Sequence, residues 1–228
     1  MIHLTNEYIQ LIKLQRPYLT GLSNDEIFTS YISDVEQDYN DIKYYLRNTQ
    51  KLVDIGAGMG GIDFLVKTNL PTINVILLDG DNVVKGEHYG YRDNIAFYSN
   101  NQIAKDFFIT NNVDAEFYTA DASLKIECDT LISLNSWGFH YPLEQYRLFL
   151  ENNSNTINTI IVDTRIRYQK LDLLEEFGFN YQKVLRKWGD KKQRMVFYRN
   201  QPTYNSYCNF IVSNIVFGSE FFSFLLCV

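Results

Sequence analysis

Apolar residues along this chain recur with two different periods. Across residues 1–50 they fall at helical spacing, first Tyr8, Leu11, Ile12 and Leu14, then Tyr31, Ile32, Val35, Tyr39, Ile42 and Leu46. Two or three amphipathic helices are therefore predicted ahead of the first strand. From Lys51 onward short β-branched runs take over: KLVDI, INVILLD, AEFYTA, DTLISL and NTIIVD. Between and after them the helical period returns at about 60–68, 100–111, 142–153 and 166–178. Strands alternating with helices imply βαβ units, in which each crossover covers one face of a parallel sheet. The end of the pattern differs. NYQKVLRKW and QRMVFYR are joined only by GDKK, too short for a crossover helix, so an antiparallel hairpin is predicted to close an otherwise parallel sheet. The reading is α/β, with seven strands and no internal repeat at a fixed period.

Composition narrows the picture. With 228 residues and 46% hydrophobic content the chain can bury one sizeable core, but is too short for two ordinary domains plus a linker. The expected organisation is an N-terminal helical cap at 1–50, a sheet-bearing domain at 51–200 and an apolar tail at 201–228. A net charge of −6 argues against holding nucleic acid by phosphate neutralisation. The most basic stretch, KVLRKWGDKKQR from Lys183 to Arg194, reads as the solvated face and turn of the hairpin. Cys128, Cys208 and Cys227 are far apart, and the opening MIHLTNEYIQLIKLQ is amphipathic and mixed in charge, unlike a secretory leader. Reduced thiols in a cytoplasmic protein are expected. No run of about twenty uninterrupted apolar residues exists to span a membrane. The tail comes nearest, but Asn209, Ser213, Asn214, Ser219, Glu220 and Ser223 interrupt it. It reads as an extra strand or packing segment, with pairing into a homodimer as one use of its apolar surface.

The chemistry concentrates where the first strand ends. KLVDIGAGMGG fits two templates. Gly56, Gly58 and Gly61 satisfy the dinucleotide fingerprint G-x-G-x-x-G, whereas Gly56, Gly58 and Gly60 satisfy D-x-G-x-G-x-G with Asp54 in front. Both describe a tight turn that lets backbone approach a ligand, with a helix N-terminus behind it. Asp54 favours a ligand end that carries positive charge over a pyrophosphate; capping the turn's amides is its other reading. Asp79 stands nineteen positions after Gly60, at the end of the second strand, where a carboxylate accepts hydrogen bonds from ribose hydroxyls. Asp81 competes for that role, and Gly80 between them lets the chain pass close to the sugar. Asp121 follows the third strand, placed to accept from an adenine amino group, with the Ala122 amide beside it.

VDIGAGMGG, LLD, TADA and the loop after DTLISL together resemble the class I S-adenosylmethionine-dependent methyltransferases over residues 50–199. The resemblance implies a Rossmann-like, mostly parallel sheet of order 3-2-1-4-5-7-6 flanked by helices, with S-adenosylmethionine as cofactor. It implies that Asp54, Gly56, Ala57, Gly58 and Gly60 hold the methionine end. Asp79 and Gly80 would then meet the ribose, and Asp121 and Ala122 the adenine.

The loop after the fourth strand, SLNSWGFHYP, would face the transferred methyl. It lacks the [DNS]-P-P-[YFW] motif of many amino-group methyltransferases and the proline-cysteine pair of cytosine-carbon enzymes, which weighs against DNA bases. It offers Asn135, expected to face the cofactor, with Ser136, Trp137 and His140. His140 is the candidate general base for an oxygen acceptor. Trp137 is either a wall of the methyl site or a core aromatic. The long connection from Gly80 to Asn100, carrying Lys85, His88, Tyr89, Tyr91 and Arg92, reads as a lid or as solvated loop. Asp163 and Arg165 on the fifth strand read as an ion pair with each other in preference to groups that reach the substrate. The three histidines have no metal-ligand spacing. The leading expectation is methyl transfer to oxygen of a small hydroxylated molecule such as a sugar. RNA or protein methylation through the basic hairpin, and a non-catalytic module that keeps the cofactor fold, are the alternatives.

Overall fold

The computed structural model of the chain describes residues 2–80, 99–168 and 171–199. Asp81, the expected lid and the apolar tail with its proposed dimer contact lie outside the described residues.

Two capped helices come first. In α1 (Asn6–Gln15) the Thr5 hydroxyl accepts the Tyr8 amide, and in α2 (Asn24–Ile42) Ser23 and Glu26 form a reciprocal capping box. The body then runs β1 (Lys51–Ile55), α3 (Gly61–Asn69), β2 (Asn74–Asp79), α4 (Asn101–Thr110) and β3 (Glu116–Thr119). It continues with β4 (Thr130–Ser133), α5 (Arg147–Asn153), β5 (Thr159–Arg165), α6 (Asp172–Glu176), β6 (Tyr181–Trp188) and β7 (Lys192–Tyr198). The seven strands form one sheet in the order β3-β2-β1-β4-β5-β7-β6, with β7 antiparallel to both of its neighbours.

Two helices are shorter than their patterns predict, and the one expected at 142–153 begins with a 3-10 turn at Leu143–Tyr146. In place of a helix over 166–178 there is a 3-10 turn at Ile166–Tyr168 and the five-residue α6. The chain leaving β5 is tied sideways, since the Arg165 amide bonds the Gly138 carbonyl and the Ile166 amide bonds the Lys191 carbonyl. Gly178, at φ +86°, then ends α6 in the left-handed conformation that helix C-termini favour.

Strand alternation separates two cores. Leu52, Val75, Leu77, Ile161 and Val196 face α1 to α4, where Tyr8, Ile12, Ile27, Val35 and Phe107 complete the layer. Val53, Ile55, Ile76, Leu78, Ile160 and Val162 face α5 and α6, against Trp137, Tyr146, Phe149 and Leu174. Each such burial is worth about 1.5–3 kcal/mol. The same period of two puts Asp54, Asp79, Asp163 and Arg165 on the face covered by the N-terminal helices.

β6 carries a bulge. Its register with β7 runs Val184 opposite Met195, then Arg186 opposite Arg194 and Trp188 opposite Lys192, so Leu185 is an extra residue. The basic hairpin expected to be solvated is in part turned inward: Arg194 is fully buried and Arg186 half-buried, while Lys187 and Lys191 are exposed. Acidic residues of α2 face that side, which is why the charges point in.

Candidate functional site

At the C-terminal ends of β1 and β4 the chain winds away in opposite directions, so the loops that follow these strands diverge and leave a crevice. A cavity of about 550 Å³ opens there. The glycine turn forms its floor through Gly56 and Gly58, at φ +72° and +62°, and Gly61, whereas Gly60, at φ +68°, stands outside the described lining. Gly56 is doubly constrained, because a Cβ there would stand 1.8 Å from the Ser136 hydroxyl of the facing loop. At Gly60 a Cβ would meet Leu77 at 2.6 Å. Ala57 also lines the cavity, and the Tyr8 hydroxyl fastens α1 to the turn by donating to the Met59 carbonyl at 2.9 Å.

Asp79 borders the cavity at the end of β2. One carboxylate oxygen accepts the Gly58 amide and the other accepts the Gly80 amide at 2.6 Å, which pins the glycine turn to the neighbouring strand. Burial nevertheless pushes this carboxyl up to about 7. Gly80 itself is buried and stands outside the described lining.

Asp54 lies beneath the turn instead of in the lining. Alternation turns it toward α3, where it faces Asp63, a residue the sequence reading did not single out. Asp54 Oδ1 and both Asp63 oxygens are buried without a hydrogen-bond donor. Burial raises both carboxyls; Asp63 raises Asp54 further, while a hydrogen bond from Asp54 lowers Asp63, so a proton held by Asp54 and shared with Asp63 is the arrangement that satisfies the pair. Nor does Asp54 cap the turn: the Gly56 and Ala57 amides bond the Leu78 carbonyl, and that of Gly58 bonds Asp79.

Asp121 and Ala122 also stand away from the described lining. Asp121 is exposed and accepts the Ser123 amide at 2.8 Å, a local turn that lowers its carboxyl. Ala122 is half-buried against the α5 and α6 core.

The loop after β4 forms the facing wall. Ser133 anchors it, donating to the Ile55 carbonyl at 2.6 Å and accepting the Trp137 amide at 2.9 Å. Trp137 is fully buried with its indole donating to the Leu143 carbonyl at 2.8 Å, so it is a core aromatic and not a cavity wall. Asn135 borders the cavity at φ +58°; its amide donates to Asp163 at 3.1 Å and its side-chain oxygen accepts from Lys192. His140 borders the cavity too. Its amide is held by the Ser136 carbonyl at 2.8 Å and its ring stands edge-on to Phe139 at 4.8 Å.

Behind this loop a buried ion network joins the hairpin to the helical cap. Arg194 lies directly opposite Asp163 and pairs with it at 2.8 Å, and with Asp38 at 2.8 Å and Asp41 at 3.1 Å. Lys192 pairs with Asp163 at 2.8 Å and Arg186 with Asp41 at 3.2 Å. Asp163 therefore does not pair with Arg165, because its cross-strand neighbour is nearer than a residue two positions along the same strand. The Arg165 Nε donates instead to the Phe139 carbonyl at 2.8 Å, with the guanidinium over the Phe139 ring at 4.6 Å. Burial raises Asp38 and lowers Lys192, each partly offset by the charges they meet.

The sequence reading expected the helices of residues 1–50 to supply a wall of the site but singled out none of the residues that do so. Arg16, Tyr31, Asp34 and Asp38 all line the cavity, as do Trp188 and Lys192 of the hairpin. One signal was present: Asp34, Asp38 and Asp41 are spaced to share a single face of α2. Among the described residues no group of three His, Cys, Asp or Glu side chains is placed to hold a metal ion.

No family model and no curated protein matches this sequence. Solved structures do match in shape. Magnesium protoporphyrin IX methyltransferase from Synechocystis PCC 6803 with bound SAM aligns at TM-score 0.54 and 14% identity, over 86% of this chain and 100% of that one. The pyocyanin biosynthetic protein PhzM aligns at TM-score 0.54 and 14% identity over 82% of this chain, and human N-acetylserotonin methyltransferase in complex with SAM at TM-score 0.51 and 13% identity, also over 82% of this chain. This chain spans 61% and 59% of those two proteins. Strand order, closing antiparallel strand and these likenesses agree: the chain has the class I S-adenosylmethionine-dependent methyltransferase fold.

Proposed function

We propose that the protein is an S-adenosylmethionine-dependent methyltransferase acting on an oxygen of a small hydroxylated molecule. One observation carries the reading: left-handed glycines and the Asp79 carboxylate border a common cavity of about 550 Å³ at the switch point of the sheet. The residues fit the cofactor. Gly56, Ala57 and Gly58 let it approach backbone closely, and each Asp79 oxygen, having accepted one amide, keeps a lone pair for a ribose hydroxyl. When bound, S-adenosylmethionine supplies a methyl group on a sulfonium, whose carbon–sulfur bond breaks as the bond from the acceptor oxygen forms. The chain's own part is to position the acceptor, exclude water beneath α1 and α2, and take the hydroxyl proton on the His140 imidazole. Asp121 and Ala122 as adenine contacts rest on the family resemblance alone.

Two of the neighbours, both solved with SAM, are named as methyltransferases, which supports the class of activity. RNA capture by the hairpin is disfavoured because Arg186, Lys192 and Arg194 are committed to Asp41, Asp163 and Asp38. No helix among the described residues is long and apolar enough to cross a membrane. A cytoplasmic location belongs to the same proposal.

Calorimetric titration with S-adenosylmethionine and S-adenosylhomocysteine, with NAD as control, tests it. Micromolar binding of both sulfur ligands, weakened at least about tenfold in Asp79→Ala, is expected. In an acceptor screen His140→Ala should then lower turnover by about 10²–10⁴. Absence of binding by either sulfur ligand overturns the enzyme reading and leaves the binding-module alternative.

A further inference from the structure

The cavity is chemically two-ended. Toward the glycine turn its lining is backbone with the Gln15, Tyr31 and Asp79 side chains; elsewhere it is aromatic and cationic, formed by Phe139, Arg165, Trp188 and Lys192. Arg165 stacks on Phe139 at 4.6 Å, while Lys192 lies 5.3 Å from the Phe139 ring centre and 3.9 Å from that of Trp188. The aromatic faces, the planar Arg165 guanidinium and the Lys192 ammonium thus share one stretch of the cavity wall.

Charge balance singles out one of the cations. Arg186, Lys192 and Arg194 are matched by Asp38, Asp41 and Asp163. Arg16, in the cap, is matched by Asp34. Arg165 has no carboxylate at ion-pair distance among the described residues. It is half-buried, and its Nε is fixed on the Phe139 carbonyl. That bond leaves the two Nη groups as a pre-oriented fork, the geometry that recognises a carboxylate in bidentate fashion at low entropic cost. A half-buried guanidinium without a counter-ion favours an anionic ligand. A sugar would find few directed acceptors on so aromatic a wall, whereas a planar ring can lie against Phe139 and Trp188.

We infer that the acceptor is a hydroxylated aromatic acid whose carboxylate is held by Arg165 and whose ring packs against Phe139 and Trp188. The inference rests on the methyltransferase reading for the word acceptor, and on the far wall alone for the ligand's chemistry. Arg165 and Trp188 are thus specificity residues.

The test uses the full chain, with and without saturating S-adenosylhomocysteine, titrated with 4-hydroxybenzoate, 4-hydroxycinnamate and 3-hydroxy-2-naphthoate, the matching amides, and 4-hydroxycyclohexanecarboxylate. The acids are expected to bind about 10- to 100-fold more tightly than their amides. Arg165→Gln, which can still donate to the Phe139 carbonyl, should abolish that preference while S-adenosylhomocysteine affinity stays within about twofold. Arg165→Lys, keeping the charge without the fork, should retain part of it, and Trp188→Leu should erase the preference for aryl over cyclohexyl acid. Melting temperatures check that each variant is folded. No saturable acid binding, equal affinity for acid and amide, or an acid preference unchanged in Arg165→Gln overturns the inference. Acid binding that depends on Arg165 in a protein that does not bind S-adenosylhomocysteine supports the anionic site and sinks the methyltransferase reading.

Discussion

Arg194→Met removes the cation on which three carboxylates of two different elements converge. The guanidinium is completely buried, as is Asp163, and the Asp38 side chain is 15% exposed. Deleting one member of a buried, hydrogen-bonded ion pair costs about 3–5 kcal/mol, mostly because the partner charge is left behind. Methionine refills much of the volume, and Lys192 and Arg186 still neutralise part of Asp163 and Asp41. The lower end, about 3 kcal/mol, is therefore expected. Against a total stability of about 5–15 kcal/mol this is a large loss. For a chain of this length it corresponds to a melting temperature lower by roughly 6–12 °C. Urea denaturation followed by circular dichroism measures it, with Arg186→Met as the comparison. That pair is 26% and 22% exposed, so its loss should cost about 1 kcal/mol or less. A second effect follows through Asp163, which accepts the Asn135 amide and holds that residue at positive φ. Freed of Arg194, the loop after β4 should loosen and ligand affinity fall with stability. A loss below about 1 kcal/mol for Arg194→Met, equal to that of Arg186→Met, would refute the argument that this network fastens the cap to the hairpin.

Two further changes probe the turn and the carboxyls beneath it. Gly56→Ala must place a side chain at φ +72° and 1.8 Å from the Ser136 hydroxyl, so it should cost at least about 1–2 kcal/mol and weaken S-adenosylhomocysteine binding. Gly56→Ala with Ser136→Gly should recover only part of this, and wild-type stability and affinity in the single variant would contradict the turn geometry. Burial raises Asp54, Asp63 and Asp79 above the ordinary carboxyl value of about 3.9. The folded form therefore holds more protons than the unfolded one: the stability linked to these groups is complete below about pH 4 and is lost as pH rises through about 7, where Asp79 titrates. Asp63→Asn supplies a neutral donor to Asp54, so its advantage over wild type should grow from pH 5 to about 1–3 kcal/mol at pH 8; the same difference at both pH values would argue against a shared proton.

How much of this was legible in the sequence depended on the range of the interaction. KLVDI is β1 residue for residue, and NVILLD differs from its predicted strand only by Ile73, because strand patterns are set by immediate neighbours and by the sheet's two buried faces. The position of Asp79 beside the cavity was legible because a glycine turn and the end of the next strand have a fixed separation in this topology. Asp54 was assigned to the ligand side on the same motif. Its surroundings depend on Asp63, nine positions on, whose inward direction needs the packed helix to be seen. That the cap walls the site was legible, but which of its residues do so was not. Asp38 and Asp41 meet Arg194 across more than 150 residues of chain, and on an amphipathic helix such acids look like an ordinary solvated face. Arg165 was recognised but given the wrong partner, since cross-strand registry is invisible before the sheet is assembled.

The extra residue Leu185 has a bearing on how such a protein tolerates a change in the length of its hairpin. Without it Val184 would still stand opposite Met195 and Arg186, one place on, would still meet Arg194, so the strand would lose its bulge while Trp188 kept its place opposite Lys192. Loss of the codon for Lys187 would act differently, setting Trp188 opposite Gln193 on the other face of the sheet. A one-residue change of length is therefore absorbed at the bulge and felt between the bulge and the turn, with the glycine turn and Asp79 untouched in either case.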